Sequence, residues 1–324
     1  MREFKLSLSR EQPRISAALE GHIAALPEGA RPVARHVLLS GGKCLRPFLT
    51  LLMGRALGCR EEQDSLLFEL GAAIEMLHAA TLLHDDILDN ADLRRGSPAA
   101  HTLYGVAPVI LAGDAMLAKA LHIVSSLGDA RLTACVSEAV MRTAGGELAE
   151  FSHLRNMDLS QEEYIDIITG KTAWMLRASC ELGAALAGAA EPLLRAAAAF
   201  GLELGIAFQM VDDALDFSPA EETGKPTGGD LREGKITPPL LLYAAALPEP
   251  EAACFKRKFR DNAFGPDELD ALCAAIYAQG HARRTRELAD GRLAAAGEAL
   301  ALLPASKERG VLQQALLYIG SRDR

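Results

Sequence analysis

The stretch that decides the fold runs from residue 70 to 89 and reads LGAAIEMLHAATLLHDDILD. It is apolar for roughly four helical turns and then ends in the pattern D-D-x-x-D. A second stretch, from residue 199 to 216, reads AFGLELGIAFQMVDDALD and has the same organisation. Both stretches are too long for strands and are rich in alanine and leucine, which favour helix. The sequence therefore predicts two long apolar helices that each end in aspartates.

The spacing of these aspartates points to a metal. Positions four apart share one face of a helix, so Asp85 points with Asp89, and Asp212 with Asp216. Two carboxylates about 4 Å apart repel by roughly 4 kcal/mol at an effective dielectric constant of 20. A divalent cation removes that cost, and magnesium is usually held by few carboxylates together with substrate phosphates. One such cluster alone is as often a solvated helix end, but two copies favour a magnesium-diphosphate site.

A calcium loop of the EF-hand type is a poor alternative for the first cluster. Counted from Asp85, the twelfth position is Gly96, where that loop needs glutamate.

The rest of the chain fits an all-α class. Glycines and prolines divide the 324 residues into roughly ten or more helical segments. A 49% hydrophobic content excludes a disordered chain, and a net charge of −9 argues against a general nucleic-acid surface. No segment has the composition of a domain linker, so we expect a single domain over residues 1–324.

The cellular context is predicted from absences in the sequence. The six cysteines form no C-x-x-C pair and no zinc-like spacing. The first twenty residues lack the apolar core of a signal peptide, and no run of about 18 apolar residues is uncharged. We therefore expect a cytoplasmic protein without a transmembrane segment.

Basic residues near the glycine-rich turns and the aspartate clusters suggest that two diphosphates bind, one through metals and one through direct cations. Individually these residues are commonplace surface cations, and a lone histidine is more often part of the core. The segment from 218 to 237 that carries two of the lysines is either a solvated connector or a mobile lid. The residues are Lys43, Arg46, His78, Arg94, Arg95, Lys171, Lys225 and Lys235.

Five motifs together resemble those of the trans-polyprenyl diphosphate synthases. They are GGKCLRP, LLHDDILDNADLRRGSPAAH, GKTAWML, AFQMVDDALDF and GKPTGGDLREGKITPPL. The resemblance covers about residues 40–240 in the family's order and spacing. It implies the isoprenoid synthase fold, with helices around a central cavity, and usually a homodimer.

The resemblance also implies roles for single residues. Asp85, Asp89 and Asp212 resemble the main magnesium ligands, supported by Asp86, Asp213 and Asp216, and Lys171 joins these six as a catalytic residue. Lys43, Arg46, His78 and Arg95 resemble the isopentenyl diphosphate site. Contacts to the allylic diphosphate and its chain are implied for Arg94, Lys171, Thr172, Phe208, Gln209, Lys225 and Lys235.

The implied activity is a magnesium-dependent prenyltransfer with three ions, which joins isopentenyl diphosphate to an allylic diphosphate. No aromatic residue lies between Leu70 and His84, where short-chain members commonly place one. The small Ala80, with Leu77 and Thr81, therefore predicts a medium- or long-chain product, as in octaprenyl-type members. The alternatives are a farnesyl or geranylgeranyl diphosphate synthase, a terpene cyclase, and a non-catalytic subunit of a heteromeric synthase.

Three positions depart from the family pattern. Cys44 stands where the family usually has arginine, Glu150 where it often has glutamine, and Pro239 follows Pro238 in a T-x-P segment. Because Lys43 and Arg46 are retained, we expect the isopentenyl site to work without an arginine at position 44.

Overall fold

A computed structural model describes residues 1–40, 42–94, 96–219 and 227–321. The chain is 79% helical, as the composition predicts. Contacts divide it into two compact units. The first comprises Met1–Met141, Met175–Gly201 and Ala299–Ala315, and the second comprises Arg142–Trp174, Leu202–Glu298 and Leu316–Arg324. One domain over residues 1–324 stays a prediction.

The amino-terminal half contains most of the first unit. In chain order it consists of α1 (Arg2–Ala24), α2 (Arg31–Leu39), α3 (Leu45–Ala56), α4 (Asp64–Leu88), β1 (Leu93–Arg94), β2 (Ser97–Pro98), α5 (Ala100–Tyr104), α6 (Val106–Ser125) and α7 (Ala130–Ser152), with short 3-10 turns at Glu28–Ala30 and Glu61–Gln63.

The carboxyl-terminal half continues the helical pattern. It consists of α8 (Gln161–Ile168), a π-helical turn (Thr169–Ala173), α9 (Trp174–Leu186), α10 (Glu191–Leu215), α11 (Gly229–Glu233), α12 (Pro238–Ala246), α13 (Glu249–Arg260), α14 (Pro266–Ala278), α15 (His281–Ala301) and α16 (Lys307–Gly320).

The first predicted helix is α4, and it forms the core of the first unit. It packs along α6 and against α3 and α1. Where α4 and α6 meet, the ring of His84 occupies the space beside Gly113 that a Cβ would take. The residue after His84 is Asp85, so this crossing fixes the end of α4 that carries the first aspartate cluster.

A small hairpin follows α4, which the sequence did not predict. Leu93 pairs with Pro98, and Arg94 with Ser97, in antiparallel register. Two-residue strands are too short to show an alternating pattern. The hairpin matters because it fixes Arg94 close to the first cluster.

In the second unit aromatic side chains pack between α12 and α13. The Tyr243 ring meets Phe255 edge-on with centroids 5.6 Å apart, and Phe255 stacks on Phe259 at 6.3 Å. Phe259 is 1% exposed, and burying a side chain of this size stabilises a fold by about 1.5–3 kcal/mol.

Judged by length and hydropathy alone, three helices are long and apolar enough to cross a membrane. Two of the windows lie within Glu61–Leu88 and Glu191–Leu215 and are 72% and 61% buried, as core helices should be. The third, α6, is 33% buried. Length and hydropathy do not separate a span from a core or interface helix, so the absence of a transmembrane segment stays a prediction.

Candidate active site

The first aspartate cluster lies at the end of α4 in the first unit. Asp85 and Asp89 are half-buried, whereas Asp86 is 4% exposed. The buried carboxylate accepts hydrogen bonds from the guanidinium of Arg94, with Nε 2.7 Å and Nη2 2.5 Å from Oδ1. Charge-assisted pairs of this kind are the strong ones. Asp86 is therefore held by the hairpin, and Asp85 and Asp89 line the more accessible face.

The second cluster ends α10 in the second unit and repeats this division. Asp212 is half-buried, while Asp213 is 3% exposed. The hydroxyl of Tyr164 donates to Oδ2 of Asp213 at 2.6 Å, and Nε2 of Gln209 donates to Oδ1 at 2.7 Å. Both oxygens of Asp213 thus accept hydrogen bonds from the protein itself.

Asp216 is also held by the protein. Its two oxygens accept backbone N–H bonds from Gly229 and Asp230 at 2.9 and 3.1 Å, at the start of α11. These amides belong to a helix amino terminus, which favours a negative charge. Asp216 therefore connects the end of α10 to the segment that carries Lys235.

Burial changes the acidity of both held aspartates. It raises the pKa of Asp213 to about 7, although the hydrogen bonds from Tyr164 and Gln209 act in the opposite direction. It raises the pKa of Asp216 to about 6, against the two backbone hydrogen bonds. The second cluster therefore resists carrying its full negative charge unless a cation is nearby.

A hydrogen-bond chain continues from Asp213 into the π-helical turn. The hydroxyl of Thr172 donates to Oε1 of Gln209 at 2.7 Å, and the amide of Gln209 then donates to Asp213. This direction of donation fixes the orientation of the Gln209 amide. π-Helical turns occur frequently at functional sites, and this one contains both Lys171 and Thr172.

Lys171 lies between two glutamates of α7. Its Nζ is 3.1 Å from Oε1 of Glu147 and 2.5 Å from Oε2 of Glu150. Burial opposes the charge on this ammonium, but Glu150 and Glu147 outweigh it, and the pKa of Lys171 is raised above its ordinary value. Lys171 is therefore protonated at neutral pH.

Two glycines make this arrangement possible. A Cβ added to Gly170 would lie only 2.8 Å from the Cα of Gly146. A Cβ added to Gly146 would collide with the backbone nitrogen of Lys171. Because only glycine fits such a backbone-to-backbone crossing, the motifs GGELAE and TGKTA bring the two glutamates of α7 to Lys171.

Lys235 lies just after α11 in the second unit. Its backbone N–H donates to the carbonyl of Asp230 at 2.9 Å, and its Nζ pairs with Glu233 at 2.6 Å. Arg155, which has a positive φ of 61°, donates its backbone N–H to the carbonyl of Gly234 at 2.8 Å. These contacts anchor the carboxyl-terminal part of the candidate lid.

The described residues of the candidate isopentenyl site lie in the first unit, where α3 begins directly after Cys44. Cys44 precedes the helix with a φ of 46° and is buried. The carbonyl of Arg46 accepts a hydrogen bond from the hydroxyl of Thr50 at 3.2 Å. His78 is half-buried on α4.

Two of the predicted substrate-binding residues, Lys225 and Arg95, lie outside the described residues. Phe208 is half-buried on α10, next to Gln209.

The carboxylates of the two clusters suit magnesium better than a metal ion that is coordinated only by protein side chains. In the described ranges, no three His, Cys, Asp or Glu side chains come together as a metal cage. Magnesium keeps several waters and needs only one or two carboxylates with substrate phosphates. Asp85 and Asp89 in the first unit, and Asp212 in the second, are half-buried carboxylates of this kind.

Sequence reasoning missed several residues that hold the site. Tyr164, Glu147 and Asp230 were not assigned roles, and Glu150 was noted only as a departure. Tyr164 follows the capping box of α8, in which Ser160 and Glu163 exchange hydrogen bonds. A buried tyrosine needs a partner for its hydroxyl, and that is the one signal that could have identified Tyr164.

The comparisons agree with this geometry. The family model described as Polyprenyl synthetase matches residues 28–276. Heptaprenyl diphosphate synthase component 2 of Geobacillus stearothermophilus is 34% identical over 98% of this chain and 96% of its own length. Octaprenyl diphosphate synthase of Escherichia coli strain K12 is 34% identical over 89% of this chain and 88% of its own.

Among solved structures, a polyprenyl synthase from Caulobacter crescentus CB15, complexed with calcium and isoprenyl diphosphate, superposes with a TM-score of 0.90. It is 34% identical and covers 98% of both chains. The chain thus belongs to the polyprenyl synthetase family and has the isoprenoid synthase fold. It is a trans-prenyltransferase of the polyprenyl diphosphate synthase type.

Proposed function

We propose that this enzyme extends an allylic diphosphate with isopentenyl diphosphate, using magnesium, to give an all-trans polyprenyl diphosphate of medium or long chain. One observation carries the proposal. Each D-D-x-x-D segment keeps its first aspartate half-buried, while the second is buried and held by protein donors. Their partial exposure makes Asp85 and Asp212 candidate ligands, and Asp86 and Asp213 stiffen the helix ends that carry them.

Asp85, Asp89 and Asp212 would hold magnesium, and Asp86, Asp213 and Asp216 would support them. Bound magnesium supplies positive charge that stabilises the departing diphosphate. We propose three ions, following the family.

On the protein side, Lys171 donates an N–H to the allylic diphosphate, together with Arg94, Lys225 and Lys235. As the C–O bond to the diphosphate breaks, these cations stabilise the developing negative charge. The hydrogen bond from Thr172 to Gln209 holds the π-helical turn against α10. Phe208 lies near the reacting carbons, and the apolar helices keep water away from the allylic cation.

Lys43, Arg46, His78 and Arg95 bind the diphosphate of the second substrate. The double bond of isopentenyl diphosphate attacks the allylic carbon and forms the new C–C bond. A proton then leaves the adduct, and the departing diphosphate accepts it. Arg46→Ala is expected to raise the KM for isopentenyl diphosphate by about ten-fold or more and to leave the allylic KM nearly unchanged. A rise confined to the allylic KM would contradict this assignment.

Product length is proposed from α4. Ala80 and Leu77 are both 1% exposed, and they lie about 7 and 12 Å before Asp85 along the helix. The small side chain of Ala80 would leave room for a growing chain, and relatives named for heptaprenyl and octaprenyl products support this. Ala80→Phe is expected to shorten the product and to spare condensation, as measured by chromatography of labelled products. A wild-type enzyme that stops at fifteen carbons would contradict the proposal.

We also propose that the whole chain acts as one isoprenoid synthase domain in the cytoplasm. We further propose that it forms a homodimer in which α6 contacts the second copy. Val106, Ile110 and Leu111 on α6 are 49%, 39% and 66% exposed. Their helix carries few charges, which suits contact with an identical copy. Light scattering is expected to give a dimer, and Leu111→Glu is expected to give a monomer. A monomeric wild-type protein would contradict this.

A heteromeric enzyme is the second candidate, because one similar relative is named as component 2 of a heptaprenyl synthase. The deciding experiment is an assay of the purified chain with magnesium, isopentenyl diphosphate and allylic primers of several lengths. Elongation by the chain alone supports the first proposal. Activity that appears only after a second protein is added supports the heteromer.

A further inference from the structure

The ammonium of Lys171 is shared by the carboxylates of Glu147 and Glu150, and the positive charge of Lys235 lies close enough to act on Lys171 and Glu147 as well. The side chains of Lys171, Glu147 and Glu150 are 20%, 13% and 19% exposed, so water screens them only partly. The two ion pairs use two of the three N–H donors of the ammonium. The ammonium has a third N–H that it can offer to a ligand.

The two glutamates are not equivalent. Glu150 makes the shorter contact, at 2.5 Å against 3.1 Å for Glu147. Burial and the neighbouring Glu150 raise the pKa of Glu147, even though Lys171 acts against them. Glu150 is therefore the stronger competitor for the charge of Lys171.

We propose that Glu150 is an affinity-setting residue, which holds Lys171 in place and weakens its attraction for the allylic diphosphate. The inference rests on the proposed function, in which Lys171 donates to that diphosphate. An incoming diphosphate meets the Lys171 ammonium together with the negative charge of Glu150. That charge repels the anion, whereas the hydrogen bond from Lys171 to Glu150 keeps the lysine pointing in one direction.

Glutamine at position 150 separates these two effects. Glu150→Gln keeps the side-chain length and a carbonyl oxygen that accepts from Lys171, but it removes the negative charge. The variant is expected to bind diphosphate more tightly, by about ten-fold, from the loss of one nearby like charge. Glu150→Ala removes both the charge and the acceptor and is expected to lose turnover, because Lys171 is then less well positioned.

The experiment compares Glu150→Gln with wild type by two measurements. Calorimetric titration with inorganic pyrophosphate in magnesium chloride reports anion affinity without turnover. Steady-state kinetics report the KM values for farnesyl diphosphate and isopentenyl diphosphate. Glu162→Gln, on the exposed first turn of α8, makes the same charge change in the same unit and serves as the matched control.

The expected result is tighter pyrophosphate binding and a lower KM for farnesyl diphosphate in Glu150→Gln. The KM for isopentenyl diphosphate and both parameters of the Glu162→Gln control should stay within about two-fold of wild type. Unchanged or weaker pyrophosphate binding, in a variant with a wild-type melting temperature, would overturn the inference. If wild type fails to condense the substrates, the proposed function fails, but the pyrophosphate titration still tests Glu150.

Discussion

The two aspartate clusters have the same sequence pattern but hold their buried aspartates differently. Asp86 is paired with a cation, Arg94, whose side chain is 36% exposed. Asp213 is held by two neutral donors, Tyr164 and Gln209, and burial raises its pKa to about 7. Equal motifs can thus have unequal electrostatics, because the partners come from elsewhere in the chain.

The largest expected effect is loss of the half-buried aspartates. Asp85→Ala or Asp212→Ala should lower kcat on the order of 10²–10³-fold or more, since each removes a proposed ligand of the ions that stabilise the leaving group. Circular dichroism should show unchanged helicity. Full turnover of wild type in excess chelator would show that the clusters do not serve a divalent cation.

A smaller effect is expected from removing the groups that hold the buried aspartates Asp213 and Asp86. Tyr164→Phe removes one neutral donor from Asp213 and is expected to cost about 1–3 kcal/mol in unfolding free energy. The variant should also lower turnover, because Asp213 is then less well fixed beside Asp212.

Arg94→Met is the matched change at the first cluster. It leaves the carboxylate of Asp86 buried without its cation, so its cost in stability should equal or exceed that of Tyr164→Phe. Denaturant unfolding of both variants makes the comparison. A negligible cost for Arg94→Met would mean that water reaches Asp86 easily.

The smallest effect concerns pH. The pKa of Asp213 is raised in the folded protein to about 7, from an ordinary value near 3.8, so the folded state binds a proton more tightly than the unfolded chain. Stability from this group is therefore present at low pH and is lost as pH rises from about 4 through about 7.

Thermal melts in chelator from pH 5.5 to 8 are expected to show this loss, and Asp213→Asn should flatten the profile. Asp86→Asn serves as the comparison at the first cluster. A wild-type slope that persists in Asp213→Asn would assign the pH dependence to another group.

Local patterns predicted the parts of the site that lie within one helix. The D-D-x-x-D segments end α4 and α10, because this feature depends on neighbours three or four residues away. The partners of the buried groups could not be predicted in this way. Tyr164 and Asp213 are 49 positions apart, and no periodicity links them.

The partner of Glu150 could not be predicted from local sequence patterns either. Its sequence context marked it only as unusual, whereas the crossing at Gly146 and Gly170 gives it a partner. Such pairings depend on how closely two backbones approach, which is a tertiary property.

The π-helical turn at Thr169–Ala173 has a consequence for the side chains that it carries. An α-helix advances by about 100° per residue, and a π-turn holds one residue more than an α-turn. Lys171 and Thr172 therefore point in directions that a regular continuation of α8 would not give them. Removing one residue from this turn would restore the regular helical spacing, and it would rotate Lys171 and Thr172 away from Glu150 and Gln209.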